Sequence, residues 1–173
     1  MARLNVQKPF LVRQFNSTDL EHVMNINKRC LPENYSNAFY LTLKERFPAT
    51  FLIAEEKGEV VGYIMCRIER SLSHFKLIGL AKIGHIISIA VLPEYQRQGI
   101  GYSLIRKASK AMSLYHAEEC VLEVRKNNLP AIKLYTKIGF KVTRTLSGYY
   151  ADGEDAYKMA CKLPIELEFE KMD

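Results

Sequence analysis

The first apolar run, Phe10 to Phe15 (FLVRQF), reads as a strand. Thr18-Asp19-Leu20-Glu21 then fits a capping box, and Leu20, Val23, Met24 and Leu31 fall roughly on one face of the helix it would open. Leu31-Pro32-Glu33-Asn34-Tyr35 interrupts that helix, because proline disfavours helical geometry in the residue before it. A short second helix is predicted from about Ser36 to Arg46. Thr50–Ala54 and Val60–Glu69 flank Lys57-Gly58-Glu59, a hairpin signal. Residues 71–82 keep no regular period and are expected to be irregular. Gly84 to Val91 is apolar at nearly every position, which predicts a central strand covered on both faces.

Helical spacing returns for four turns at Ile100, Leu104, Ile105, Ala108, Ala111, Met112 and Tyr115, with Arg106, Lys107 and Lys110 outward. Cys120–Val124 is a strand, Pro130–Ile138 a helix, and Phe140–Ser147 and Ala156–Cys161 close the chain as strands. The order β-α-α-β-β-β-α-β-α-β-β predicts a mixed α/β sheet of about seven strands, mostly antiparallel, flanked by about four helices. Residues 1–163 are expected to form one domain, with an acidic peripheral tail over residues 164–173.

Charge and cysteine usage narrow the classes. A formal charge of +6 suits anionic partners: nucleic acid, a ribosome surface, or a phosphate-rich cofactor. The basic residues are scattered and form no arm or aromatic-basic signature, which argues against sequence-specific nucleic-acid recognition. Cys30, Cys66, Cys120 and Cys161 are far apart with no C-x-x-C pair, so they are expected to be reduced thiols of a cytoplasmic protein. No stretch approaches the roughly 18 apolar residues of a membrane span.

The informative segment is Val91-Leu92-Pro93-Glu94-Tyr95-Gln96-Arg97-Gln98-Gly99-Ile100-Gly101. A buried strand meets a glycine turn and an amphipathic helix starts at once. Free N–H groups and the positive helix end would then face one anion-sized concavity, unless the turn is merely tight and binds nothing. The P-loop pattern is absent, and Leu104 holds the third glycine position of a dinucleotide fingerprint.

Gln96 to Gly101 resembles the Q/R-x-x-G-x-G/A signature of the GNAT acetyltransferase superfamily. A second segment of that family follows: Leu122-Glu123-Val124-Arg125-Lys126-Asn127-Asn128-Leu129-Pro130-Ala131-Ile132-Lys133-Leu134-Tyr135, then Gly139-Phe140. Residues 31–35, 84–91 and 148–157 are similar to N-terminal acetyltransferases, both the archaeal enzymes and the catalytic subunit of the main eukaryotic one. The similarity spans roughly residues 10–163, with 71–82 its least typical part.

The resemblance implies the acyl-CoA N-acyltransferase fold and acetyl-CoA as co-substrate. Ile89, Ala90 and Val91 would offer backbone groups to the pantetheine arm. Arg97, Gln98, Gly99, Ile100, Gly101 and Tyr102 would hold the pyrophosphate, with Asn128 and Tyr135 beside the thiol end. Tyr35, Tyr149, Tyr150 and Ile89 would line a groove for protein N-termini. Glu33 and His85 are its candidates for the proton path, and Tyr135 for protonating the thiolate. Each has a plainer alternative: a solvated carboxylate or helix cap for Glu33, a histidine satisfied by a backbone carbonyl for His85, a packed core tyrosine for Tyr135. Glu123 would hold the substrate's backbone or N-terminus; paired with His85 it is also weak evidence for a divalent ion, which the chemistry does not need.

The reaction expected from this resemblance is acetyl transfer to the α-amine of proteins beginning Ser, Ala or Met, by direct attack through a tetrahedral intermediate. An α-amine has a pKa of roughly 7.7–8.0, so on the order of a tenth is neutral at pH 7 and a weak base suffices. The rival within the family acts on lysine, a ribosomal protein or a small amine. A rival from another class is a silent acyl-CoA-binding or nucleic-acid-binding module. Partners would be protein N-termini and, by charge, the ribosome; no membrane is implied.

Overall fold

A computed structural model describes residues 9–165. It contains β1 (Leu11–Gln14), α1 (Leu20–Cys30), α2 (Asn37–Arg46), β2 (Phe51–Glu56), β3 (Glu59–Leu72) and β4 (Leu80–Val91). Then follow α3 (Ile100–Met112), β5 (Glu119–Arg125), α4 (Leu129–Ile138), β6 (Lys141–Leu146) and β7 (Ala156–Lys162). The seven strands form one sheet in the order β1-β2-β3-β4-β5-β7-β6, antiparallel at every pairing except β4 with β5. The expected α/β class, strand count and element order are those observed. Most of the acidic tail, residues 166–173, lies outside the described residues.

Each sheet face carries its own core. On one side Ile100, Leu104, Ile105, Ala108 and Met112 of α3 join Tyr135 and Ile138 of α4 over Leu52, Ile64, Ile86 and Leu122. On the other, Val23 and Ile26 of α1 and Tyr40 and Leu43 of α2 close over Phe51, Ile53, Tyr63 and Met65. Polar groups in that second core are satisfied: Asn27 Nδ2 donates to the Tyr63 hydroxyl at 2.9 Å, and that hydroxyl lies 2.7 Å from Ser88 Oγ. Cys66, Cys120 and Cys161 are buried, Cys30 is half-buried, and all four are free thiols. Among the described residues no helix is long and apolar enough to cross a membrane.

Two local expectations are corrected. The capping box belongs to Asn16 and Asp19 rather than Thr18 and Glu21: the Asn16 side chain accepts from a backbone N–H of the first turn, while the Asp19 carboxylate accepts the Asn16 N–H at 2.8 Å. Asp19 is held there because Arg13 on β1 donates to both its oxygens, at 2.8 and 3.0 Å. Residues 71–82 are not irregular throughout. β3 and β4 continue as a ladder to the pair Leu72↔Leu80, and only residues 73–79 turn. That turn is pinned by Glu119 on β5, which accepts the His74 N–H at 2.9 Å and the Ser73 hydroxyl.

Candidate active site

The site exists because two strands part. β4 and β5 pair only at Ile83↔Glu119, Gly84↔Cys120 and His85↔Val121. Just beyond, a bulge opposite Met65 and Cys66 shifts the register of β4 against β3. Residues 86–91 and 122–125 then flank a cleft of about 1610 Å³. It runs from the 95–102 turn and α4 at one end to the 31–35 and 149–151 loops at the other.

The turn end is built for an anion. Gly99 sits at φ +83°, in the left-handed region, and an added Cβ there would meet nothing within 4 Å, so the backbone conformation is what calls for glycine. α3 starts at the next residue, leaving the N–H groups of its first turn without intrahelical partners. Gly101 lets α4 approach, since a Cβ there would come 3.3 Å from Leu134 Cδ2. Arg97, Lys133 and Lys137 bring cations to the lining, and Gln96 Nε2 fixes the strand exit by donating to the Val91 carbonyl at 2.9 Å. These groups fit a phosphate-bearing ligand, with the apolar floor of Ile89, Ala90 and Val91 leading inward. Asn128 is committed to capping α4, its Oδ1 accepting the Ala131 N–H at 3.3 Å. Tyr135 is buried with its ring 5.9 Å from Phe140, and burial pushes its hydroxyl up to about 12.

At the loop end aromatic rings and paired charges meet. Tyr35 stacks on Phe39 at 5.0 Å and donates its hydroxyl to the Ile87 carbonyl at 3.3 Å. Tyr149 and Tyr150 pack edge to face at 5.0 Å. Arg125 ties the two loops together: it donates to Glu33 at 2.6 Å and to Asp152 at 2.8 Å, and lies 4.0 Å over the Tyr150 ring. Glu123 lies beside them in the cleft wall. Its carboxyl would be raised by burial, but His85 Nε2 at 2.6 Å, with Lys158 at 3.6 Å on the other oxygen, holds it below the usual carboxylate range.

The structure gathers Glu33, Tyr35, Ile89–Val91, Arg97–Tyr102, Glu123, Asn128, Tyr135, Tyr149 and Tyr150 around one cleft. His85 stands apart. It is not in the lining, and its ring lies between Glu123 and Glu69, with Glu69 3.2 Å from Nδ1. It is therefore satisfied by carboxylates rather than by a backbone carbonyl. Sequence reasoning passed over Arg125, although it stands in the quoted motif, because nothing local marks its partner 92 residues away. Lys133 and Lys137 were passed over too; their i, i+4 spacing on a helix predicted to follow the glycine turn was the available signal.

The model of the acetyltransferase (GNAT) family matches residues 20–140. An N-alpha-acetyltransferase of Sulfurisphaera tokodaii is 50% identical over 158 residues, covering 90% of this chain and 95% of the relative. The N-terminal acetyltransferase complex ARD1 subunit homolog of Dictyostelium discoideum is 38% identical, over 92% of this chain and 76% of the relative. Among solved structures, Ard1 from Thermoplasma volcanium superposes with a TM-score of 0.77 at 30% identity, covering 89% of this chain and 97% of that one. Naa20 of Chaetomium thermophilum, in complex with a bisubstrate analogue, gives 0.78 at 33%, over 88% and 86%. The chain belongs to the acetyltransferase (GNAT) family. Its activity is that of an N-alpha-acetyltransferase, using acetyl-CoA to modify the α-amine of proteins.

Proposed function

We propose that the chain acetylates proteins beginning Ser, Ala or Met, with Glu33 and Glu123 taking up the protons of the attacking amine. The observation that carries this reading is the clasp at the loop end. Arg125 draws the 31–35 and 149–151 loops over the cleft, so an acceptor must enter between Tyr35 and Tyr150. Aromatic walls on both sides exclude water and strengthen the hydrogen bonds that fix a chain end. His85 acts through Glu123, fixing the orientation of that carboxylate from behind. Either carboxylate, through a water, suffices for an amine already close to neutrality.

A backbone N–H near Val91 at the splayed strand is assigned to the oxyanion. Tyr135 is assigned a hydrogen bond to the departing sulfur rather than full proton transfer. Its hydroxyl, at about 12, is a weaker acid than an alkyl thiol near about 8.5, so donating the proton outright would cost about 5 kcal/mol. Ribosome contact belongs to the same proposal, supported by the charge of +6. The test is acetyl-CoA turnover on peptides differing only in residue one, beside an N-terminally blocked peptide containing lysine. Turnover confined to free termini is expected; equal rates on the blocked peptide would overturn the N-terminal reading.

A further inference from the structure

The sheet continues past Glu123 as an uncovered strip of cations. Glu123 on β5 is in register with Lys158 on β7, and Lys158 with Arg144 on β6, so the three side chains share one sheet face. Lys141 faces the same way, through its register partner Ala160. β6 is the sheet's edge strand, and Lys141 and Arg144 are exposed. The residues from Val124 to Ala151 include no aspartate or glutamate.

Neighbouring acids are already occupied: Glu69 by Arg67 at 2.8 Å, Glu123 by His85 and Lys158, Asp155 by Lys126 at 3.4 Å and the Gly148 N–H at 2.9 Å. Lys141 and Arg144 have no carboxylate within 4.0 Å among the described residues. Neither lines the cleft, so the cofactor's phosphates do not account for them.

We propose that Lys141 and Arg144, continuing the line from Glu123 and Lys158, form a subsite for an acidic side chain of the acceptor polypeptide, downstream of the acetylated residue. This rests on the N-terminal reading above. Two strand spacings separate β5 from β6, about 10 Å, which an extended chain covers in about three residues. An acceptor whose first two residues lie at Glu123 therefore brings its fourth to sixth residues over Arg144 and Lys141. The contact is a solvent-exposed ion pair, so it tunes affinity without touching the acetyl transfer.

The experiment uses three peptides with the same neutral first three residues and Asp, Gln or Lys at positions four to six. At low salt the wild type acetylates the Asp peptide with a kcat/KM roughly three- to tenfold above the Lys peptide. The difference lies in KM and collapses in 0.5 M salt, where the Debye length is roughly a third of that at 0.05 M. The double variants K141E/R144E and K141Q/R144Q keep wild-type rates on the Gln peptide, which certifies their fold. The first reverses the Asp-over-Lys preference and the second abolishes it. Absence of the preference in wild type, or its persistence in either variant active on the Gln peptide, overturns the subsite. Failure of wild type to acetylate the Gln peptide at all would instead overturn the N-terminal reading.

Discussion

Replacing Arg125 with glutamine tests the clasp directly. The guanidinium is four-fifths buried, with 17% of its side chain exposed, whereas Glu33 is 37% and Asp152 53% exposed. Solvent therefore screens both ion pairs, and the more open Asp152 contact adds little. The Glu33 pair is worth about 0.5–1 kcal/mol and the stack on Tyr150 about 0.5–1 kcal/mol. Together they give about 1–2 kcal/mol for holding the loops in place, or roughly a 5- to 30-fold loss in kcat/KM for a Ser-starting peptide. Binding of acetyl-CoA, measured by calorimetry, should change little, because the glycine turn at residues 95–102, the end proposed for its phosphates, is at the other end of the cleft. Arg125→Lys keeps the charge but loses the fork and should fall between. In a cycle with Glu33→Gln, the double variant should lose less than the product of the single losses. A kcat/KM for R125Q within twofold of wild type, or fully multiplicative losses, would refute the clasp.

Gly84→Ala places a Cβ 2.2 Å from Met112 Sδ. It should cost about 1–3 kcal/mol, seen as a fall in thermal midpoint that Met112→Ala partly restores; no fall would mean α3 shifts freely. Tyr135→Phe should lower kcat by roughly tenfold, the scale of one lost hydrogen bond, with the KM for acetyl-CoA little changed. Loss of acetyl-CoA binding would instead make the residue a packing element. The buried Asp19 carboxyl would be raised by burial, but Arg13 and the Asn16 N–H hold it below its ordinary value of 3.8. A depressed folded pKa adds stability that is complete above that value and lost as pH falls through the lower folded one. Thermal melts of Asp19→Asn should thus show a deficit at pH 7 that narrows as the pH falls below the ordinary value of 3.8; a deficit that stays the same in acid would assign the effect to packing.

Periodicity and local chemistry made most of this protein legible. Apolar runs located every strand and helix in order because each element must bury a face, and the period of that face is written locally. The Gln96–Gly101 turn was legible for the same reason: its positive φ and its free N–H groups are properties of a few adjacent residues. What the sequence left open lies between elements. Ladder pairing of β3 with β4 to Leu72↔Leu80, next to a turn held by Glu119 at a separation of 45 residues, gave residues 71–82 no local period.

Tertiary structure alone decided the direction of each charge. It put His85 behind Glu123 instead of in the cleft, gave Glu33 to Arg125, and aligned Glu123, Lys158 and Arg144 across three strands. A carboxylate's partner depends on which strand lies beside it and in what register. That is set by long-range packing of the whole sheet, whereas a helix face or a glycine turn is set within a few residues.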